Sequence, residues 1–466
     1  QVSVKSVLLN RGGYSYLTGP AVPGKEKQEA APVPGGSTPS LPWTVRVGSV
    51  VLDDNRAEYG LLNHRPAAGF DPSFIVLSTL DLAVDSIYNR GADIALQIRR
   101  MAFTERSGLT VSDMTGDIGM DASGISLAGV TLKTPFSRIE ANISAGEGIL
   151  ALAPDSPLKA DLMADVNTKD LKYLYRALIP PVLDGRIVSL ALTAAGTLGD
   201  IGKAGLDISS PGHVAFTADG AARNVLDPGR MEASARFEGD FRDMAFLEAL
   251  LPDSALRRRI AIPDRIRLRG TAGADKGAFS AASTLSTDGG EIALQGRLDT
   301  RSEAYGIELR CDSFPLNSFL PADSLGLLDL ALQAGGSGFD PLRAQTRGNI
   351  RLQVDRAEFR GRDFGGVKLN ANLEGGQLSG RLSDRDEALR LLLLISGTLT
   401  ERKQEVRLTG NVFDFDLAEL GISPQKIGGS FALEAGASAS DAGSYTARIA
   451  LDSIEVRTRH RTDRIR

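Results

Sequence analysis

Apolar and polar residues alternate with a period of two through most of this chain. Ile94, Leu96 and Ile98 are separated by small or polar neighbours, Leu109 and Val111 follow a Ser107-Gly108 turn, and Ile125 and Leu127 follow Asp121-Ala122-Ser123-Gly124. Phe136, Ile139, Ala141 and Ile143 make another apolar face. Such spacing puts the apolar set on one side of each strand and the polar set on the other. From Asp71 to Asp165 strand signals recur roughly every 8–14 residues, and the whole chain offers roughly 29 strand candidates. Asp219-Gly220, Asp288-Gly289-Gly290 and Gly375-Gly376 carry hairpin-turn chemistry. Residues 1–18 predict two short strands with a turn at Gly12-Gly13.

A second pattern interrupts the first and returns four times: a short amphipathic helix, a proline, then an alternating strand running into glycine. Asp170 to Ile179-Pro180 leads into Val188, Leu190, Leu192 and Gly196. Met244 to Leu251-Pro252 leads into Ile266, Leu268 and Gly270, and Phe314 to Leu320-Pro321 into Leu328, Leu330, Leu332 and Gly335. The looser fourth copy runs from Asp416-Leu417 through Leu420 and Pro424 to Phe431, Leu433 and Gly436. Leu171, Leu174, Tyr175 and Leu178 fall on one helical stripe. Phe246, Leu247, Leu250 and Leu251 do the same after Asp243, read as an N-cap. Long repeats of this kind predict growth along one axis, with function following from the extended form.

The expected organisation is one continuous elongated β domain. Its segments are groove strands over 1–165 with a flexible Pro/Gly-rich loop at 19–42, helix-Pro-strand units over 166–236, 237–310 and 311–412, and a partial fourth over 413–466. Strands stacked in order at ~4.8 Å would run about 140 Å, so the sheet must curl, close or layer. The predicted fold is mainly β, with a few short amphipathic helices. If the sheet curls without closing, its apolar faces line a long trough suited to acyl chains, with Val188, Leu190, Leu192, Ile266, Leu268, Leu328, Leu330 and Leu332 as its candidate floor.

Composition narrows the chemistry. Glycine makes up 51 of 466 residues and aromatics only 6%, so the interior is aliphatic and the turns are many. With 53 basic against 58 acidic residues there is no support for a nucleic-acid partner; the local basic excess at 457–466 reads as a solvated end. The single cysteine, Cys311, rules out an internal disulfide and a cysteine zinc site and reads as a small core residue. His64, His213 and His460 lack ligand spacing and read as surface or turn residues. Asp53-Asp54 and Asp384 to Glu387 read as solvated turns at strand ends, and Gly335-Gly336-Ser337-Gly338 as a turn rather than a phosphate loop. The aliphatic run Leu391 to Ile395 is too short to cross a bilayer and reads as a buried strand. No serine elbow, metal helix or P-loop occurs, so neither an enzyme nor a cofactor is expected. With no initiator methionine or signal peptide, the chain is expected to be an internal piece of a longer one.

Several stretches resemble the translocation and assembly module subunit TamB family, of the AsmA-like superfamily, in its Bacteroidetes form. They are Trp43-Thr44-Val45-Arg46-Val47 leading to Val50-Val51-Leu52-Asp53-Asp54-Asn55, Glu105 through Val111, Leu127 through Ser137, and the Leu-Pro-strand-Gly units. The resemblance implies an elongated, curled open β-sheet, a taco-like groove, in a periplasmic protein held in the inner membrane by an N-terminal helix outside this stretch. It further implies phospholipid acyl chains as cargo and an outer-membrane β-barrel partner of the TamA/BamA type. Lipid transport between the membranes and outer-membrane protein assembly are the roles it implies. The alternative is a β-rich surface or adhesive repeat protein. Long irregular repeats carrying helices count against it.

Overall fold

The computed structural model describes residues 2–4, 7–10, 13–18, 44–61, 65–67, 69–91, 93–146, 153–175, 183–251, 253–439 and 445–465. The chain divides into two compact units, 1–227 and 228–466. The fold is mainly β, in antiparallel sheet that is not closed into a barrel.

In the first unit an antiparallel meander runs through β4 (Thr44–Leu61), β5 (Phe74–Arg90), β6 (Asp93–Glu105), β7 (Thr110–Asp121), β8 (Gly124–Lys133) and β9 (Arg138–Gly146). It continues through β10 (Pro157–Asn167), β11 (Ile187–Thr197), β12 (Ile201–Ser210) and β13 (Val214–Arg223). The expected hairpin at 1–18 does not form. Instead β1 (Val2–Val4), β2 (Val7–Asn10) and β3 (Gly13–Thr18) lie end to end along β4, all parallel to it. A parallel neighbour needs a crossover of a dozen or more residues, which accounts for the length of the Pro/Gly-rich connection. The loop expected at 19–42 itself lies outside the described residues. Helix α1 (Thr168–Tyr175) joins β10 to β11. Asn167 accepts the Lys169 N–H at 3.0 Å and so caps the helix.

The second unit repeats the meander through β14 (Glu232–Arg242), β15 (Arg265–Asp275), β16 (Ala278–Ser286), β17 (Glu291–Asp299), β18 (Ala304–Pro315), β19 (Leu325–Ser337) and β20 (Arg347–Phe359). A short β21 (Arg362–Phe364) turns the chain into β22 (Val367–Glu374), followed by β23 (Gln377–Arg385), β24 (Leu389–Leu399) and β25 (Gln404–Asp416). The unit ends with β26 (Gly428–Ala439), β27 (Tyr445–Arg457) and β28 (Thr462–Ile465).

The helix-Pro-strand repeats occupy equivalent places in this unit. Each connects an up strand to the next down strand, at β14–β15, β18–β19 and β25–β26, so all three lie on one rim. The opposite rim carries tight turns such as Gly375-Gly376. Helix content falls along the series. Met244–Leu250 is a 3-10 helix followed by α2 (Ser254–Arg259), Leu316–Ser318 and Pro321–Asp323 are single 3-10 turns, and 417–427 holds turns alone. Asp243 does not N-cap through its side chain: its φ is 48°, in the left-handed region, and its carboxylate bonds no helix N–H. Instead its own N–H donates to the Asp264 carbonyl at 2.8 Å.

Neighbouring connections along this rim are tied together. The Ala261 N–H donates to the Phe319 carbonyl at 2.9 Å, and Arg259 pairs with Asp323 at 3.1 Å. The Arg360 N–H donates to the Ser324 carbonyl at 2.7 Å, and Arg362 pairs with Glu419 at 2.7 Å. The register shifts of the unit also gather toward this rim, at Cys311/Phe314, Arg390/Leu391 and Val412/Phe415. A bulge bends and twists its strand, so clustering them at one end curves the sheet there.

Three further sequence readings need correction. Asp219-Gly220 is not a turn but lies inside β13, because Ala218, Gly220 and Ala222 continue the alternation without a break. Asp53-Asp54 sits mid-strand in β4 at a bulge, with Asp54 at φ 50° and its N–H donating to Asp81. The acidic run at 384–387 is structured rather than solvated: Asp384 is buried and accepts the Asp386 N–H, while Asp386 accepts the Gly365 N–H.

Candidate functional site

Residues facing each other across an antiparallel ladder point to the same side of the sheet, so strand registers assemble isolated apolar positions into rows. In the first unit one row crosses ten strands: Leu52, Leu82, Met101, Met114, Leu132, Ile139, Ala164, Leu190, Ile208 and Phe216. Neighbours on the opposite face are polar, as in the run Asp113, Lys133, Arg138, Asp165 and Ser189.

In the second unit the corresponding row is leucine on seven adjacent strands: Leu294, Leu309, Leu332, Leu352, Leu369, Leu382 and Leu393. Gly410, Leu433 and Leu451 prolong it. A parallel row holds Leu268, Leu285, Ile292, Cys311, Leu330, Val354 and Val367. At ~4.8 Å per strand, seven leucines span about 29 Å along the direction in which the sheet grows.

These faces are only partly covered. Among the described residues Leu393, Cys311 and Phe314 are buried, but Leu294, Ile307, Ile449 and Leu451 on the same face are 42%, 45%, 74% and 50% exposed. A depression of about 860 Å³ opens where the rows thin to small residues, beside Ala281, Gly296, Tyr305, Ile307 and Ala334. Phe314 and Phe319 stack with ring centroids 5.2 Å apart, closing the face toward the tied rim.

All eight sequence-predicted floor residues lie in strands. Val188, Leu190 and Leu192 share one face of β11, and Val188 and Leu192 are each 37% exposed. Ile266 and Leu268 on β15 and Leu328, Leu330 and Leu332 on β19 are half-buried, and Leu268 and Leu330 fall in a single row of the second unit. Alternation within each strand marked these positions. It could not reveal that Leu294, Leu309, Leu352, Leu369, Leu382 and Leu393 complete the Leu332 row, because register is a property of strand pairs.

The titratable groups on this face are few. Burial pushes the Cys311 thiol above its usual value, assisted by the negative charges of Asp312 and Asp329. Burial likewise raises Asp384, which follows Leu378, Gly380 and Leu382 on the apolar side of β23 and faces Leu391. His213 and His460 lie in turns, and His64 falls outside the described residues. Among the described residues no group of three or more His, Cys, Asp or Glu is placed to hold a metal ion, and no helix is long and apolar enough to cross a membrane.

The aliphatic run Leu391 to Ile395 is not the buried strand its composition suggested. Leu393 is 6% exposed but Leu394, on the opposite face, is 52% exposed. No family model, curated protein or solved structure matches this chain.

Proposed function

We propose that this chain forms part of the apolar groove of an envelope protein working between the inner and outer membranes of a bacterium. It would support phospholipid transport between them, outer-membrane protein assembly, or both. The supporting observation is the half-open leucine row of the second unit. Aliphatic side chains aligned along the growth direction offer a continuous surface with no polar step for an acyl chain to cross. Each methylene removed from water there contributes about 0.8 kcal/mol, and a 29 Å row is about as long as a bilayer's hydrocarbon core is thick, ~30 Å. The outer-membrane barrel partner and the inner-membrane anchor belong to the same proposal through the family resemblance.

Lipid extraction and mass spectrometry of the natively purified chain test it. Stoichiometric phospholipid is the expected result. A chain that carries none, and takes up none from donor vesicles, would instead fit the adhesive repeat reading.

A further inference from the structure

Among the described residues of the second unit, β24 breaks the alternation on the polar face. Leu392 and Leu394 of β24 point away from the leucine row, and Leu394 is 52% exposed. Asn411 faces Leu392 and Thr409 faces Leu394 across the ladder to β25. On one flank of this aliphatic pair, toward β20, stand Arg351, Lys368 and Arg381, all exposed; on the other, Glu434 follows beyond Thr409 and Asp452 beyond Asn411 and Ala432. Arg381 lies directly opposite Leu394, and Arg351 follows two strands beyond Arg381, with Asn370 between them. Lys368 faces Ser383, which in turn faces Leu392. Many cations of this chain are paired with an acid, as Arg390 is with Asp414 at 3.2 Å. Arg351, Lys368 and Arg381 form no ion pair among the described residues.

We propose that this patch is a peripheral docking surface for an anionic bilayer, distinct from the leucine row on the other side of the sheet. Charge complementarity identifies the occupant: three cations without an ion pair, carried on long stems by β20, β22 and β23, border apolar side chains of β24 that could enter the headgroup boundary. Long basic stems lie along apolar surface while their charged ends stay at the interface. The strands beneath are paired on both sides, so the patch has neither a free edge to take up a peptide strand nor a groove to seat a helix. This argues for a bilayer over an acidic protein segment.

Co-sedimentation with vesicles tests the proposal. One set is pure phosphatidylcholine and the other contains phosphatidylglycerol. The chain should sediment with the anionic set only, and high salt should release it. Arg381→Gln and Lys368→Gln should each weaken binding about fivefold, as expected when one interfacial cation is lost. Leu394→Gln should weaken it further. The apolar-row variant Leu294→Asp should sediment like the unaltered chain. These substitutions lie on exposed positions, and circular dichroism establishes that each variant is folded. Binding abolished by Leu294→Asp but retained by the patch variants would overturn the proposal and assign vesicle contact to the leucine row. Failure to sediment with anionic vesicles, with salt-sensitive retention on an immobilised Glu/Leu peptide, would also overturn it, in favour of a protein partner. A chain that carries lipid yet ignores vesicles would leave the groove reading standing and this one refuted.

Discussion

Leu294 on β17 stands directly opposite Leu309 on β18, yet it remains 42% exposed. The pair begins a leucine row that neighbouring strands align but do not cover. Cross-strand pairs of this kind contribute roughly 0.2–1 kcal/mol each, enough to hold register without a sealed core.

A charge placed at this pair should separate transport from folding. Leu294→Asp loses little burial, so its stability should change by no more than about 1 kcal/mol. Lipid recovered with the purified protein should nevertheless fall sharply. Leu330→Asp, on the adjoining row, should behave alike for lipid but cost more stability, since Leu330 neighbours buried Cys311. Unchanged lipid content in a folded Leu294→Asp protein would remove that position from the lipid path.

Helix α1 is anchored by one carboxylate. Asp170, 5% exposed, accepts the hydroxyls of Thr134 at 2.6 Å and Ser137 at 2.5 Å, tying the β10–β11 connection to the β8–β9 turn. Asp170→Ala should destabilise the first unit by about 2–3 kcal/mol, the usual cost of losing hydrogen bonds to a buried charged group. Urea unfolding measures this directly; a loss of a few tenths would mean the anchor carries no strain.

Gly108 is the neighbouring point of close approach. Its φ of 99° disfavours any side chain, and an added Cβ would come within 2.9 Å of the Tyr173 ring on α1. Gly108→Val should therefore lower the melting temperature and change tyrosine fluorescence. Gly108→Ala should do so to a lesser degree. A melting curve unaltered by valine would show that α1 does not rest on the β6–β7 turn.

Asp384 should make stability depend on pH. Burial raises its folded-state pKa, so the folded protein holds this proton more tightly than the unfolded chain. Stability from this group is therefore fully present below the unfolded-state value of about 3.9 and declines as pH rises through the folded value. Asp384→Asn keeps the acceptor for the Asp386 N–H, and should raise the melting temperature at neutral pH while matching the unaltered protein near pH 3.5. Equal melting temperatures at pH 7 would count against a buried carboxylate there.

Cys311 gives a chemical readout of the packed part of the same face. At 4% exposure and with its thiol pKa raised, it should react slowly with a disulfide reagent in the folded protein and rapidly in denaturant. Free-thiol rates under native conditions would show that the face around Ile292 and Leu330 is open to water.

Much of this was readable in the chain itself. The alternation that marked Leu328, Leu330 and Leu332 is local, and so is the turn chemistry at Gly375-Gly376. Where local cues conflicted, the structure followed the longer pattern. Asp219-Gly220 stayed in β13 because Val214, Phe216, Ala218 and Ala222 hold a common face around it. Helix stripes were weaker guides. In the third and fourth repeats, short connections held by rim contacts such as Arg360 with Ser324 left no room for regular helix.

The sequence alone determined strand content, a two-faced sheet and the recurrence of its longer connections, since each depends on residues close along the chain. Tertiary structure alone decided which leucines form a row, which rim is tied, and that Leu392 and Leu394 face away from their neighbours. A one-residue slip in any ladder would turn a strand's apolar set to the other side. Register is fixed by bulges and turns acting between strands, so it is written in pairs of segments and not in either one.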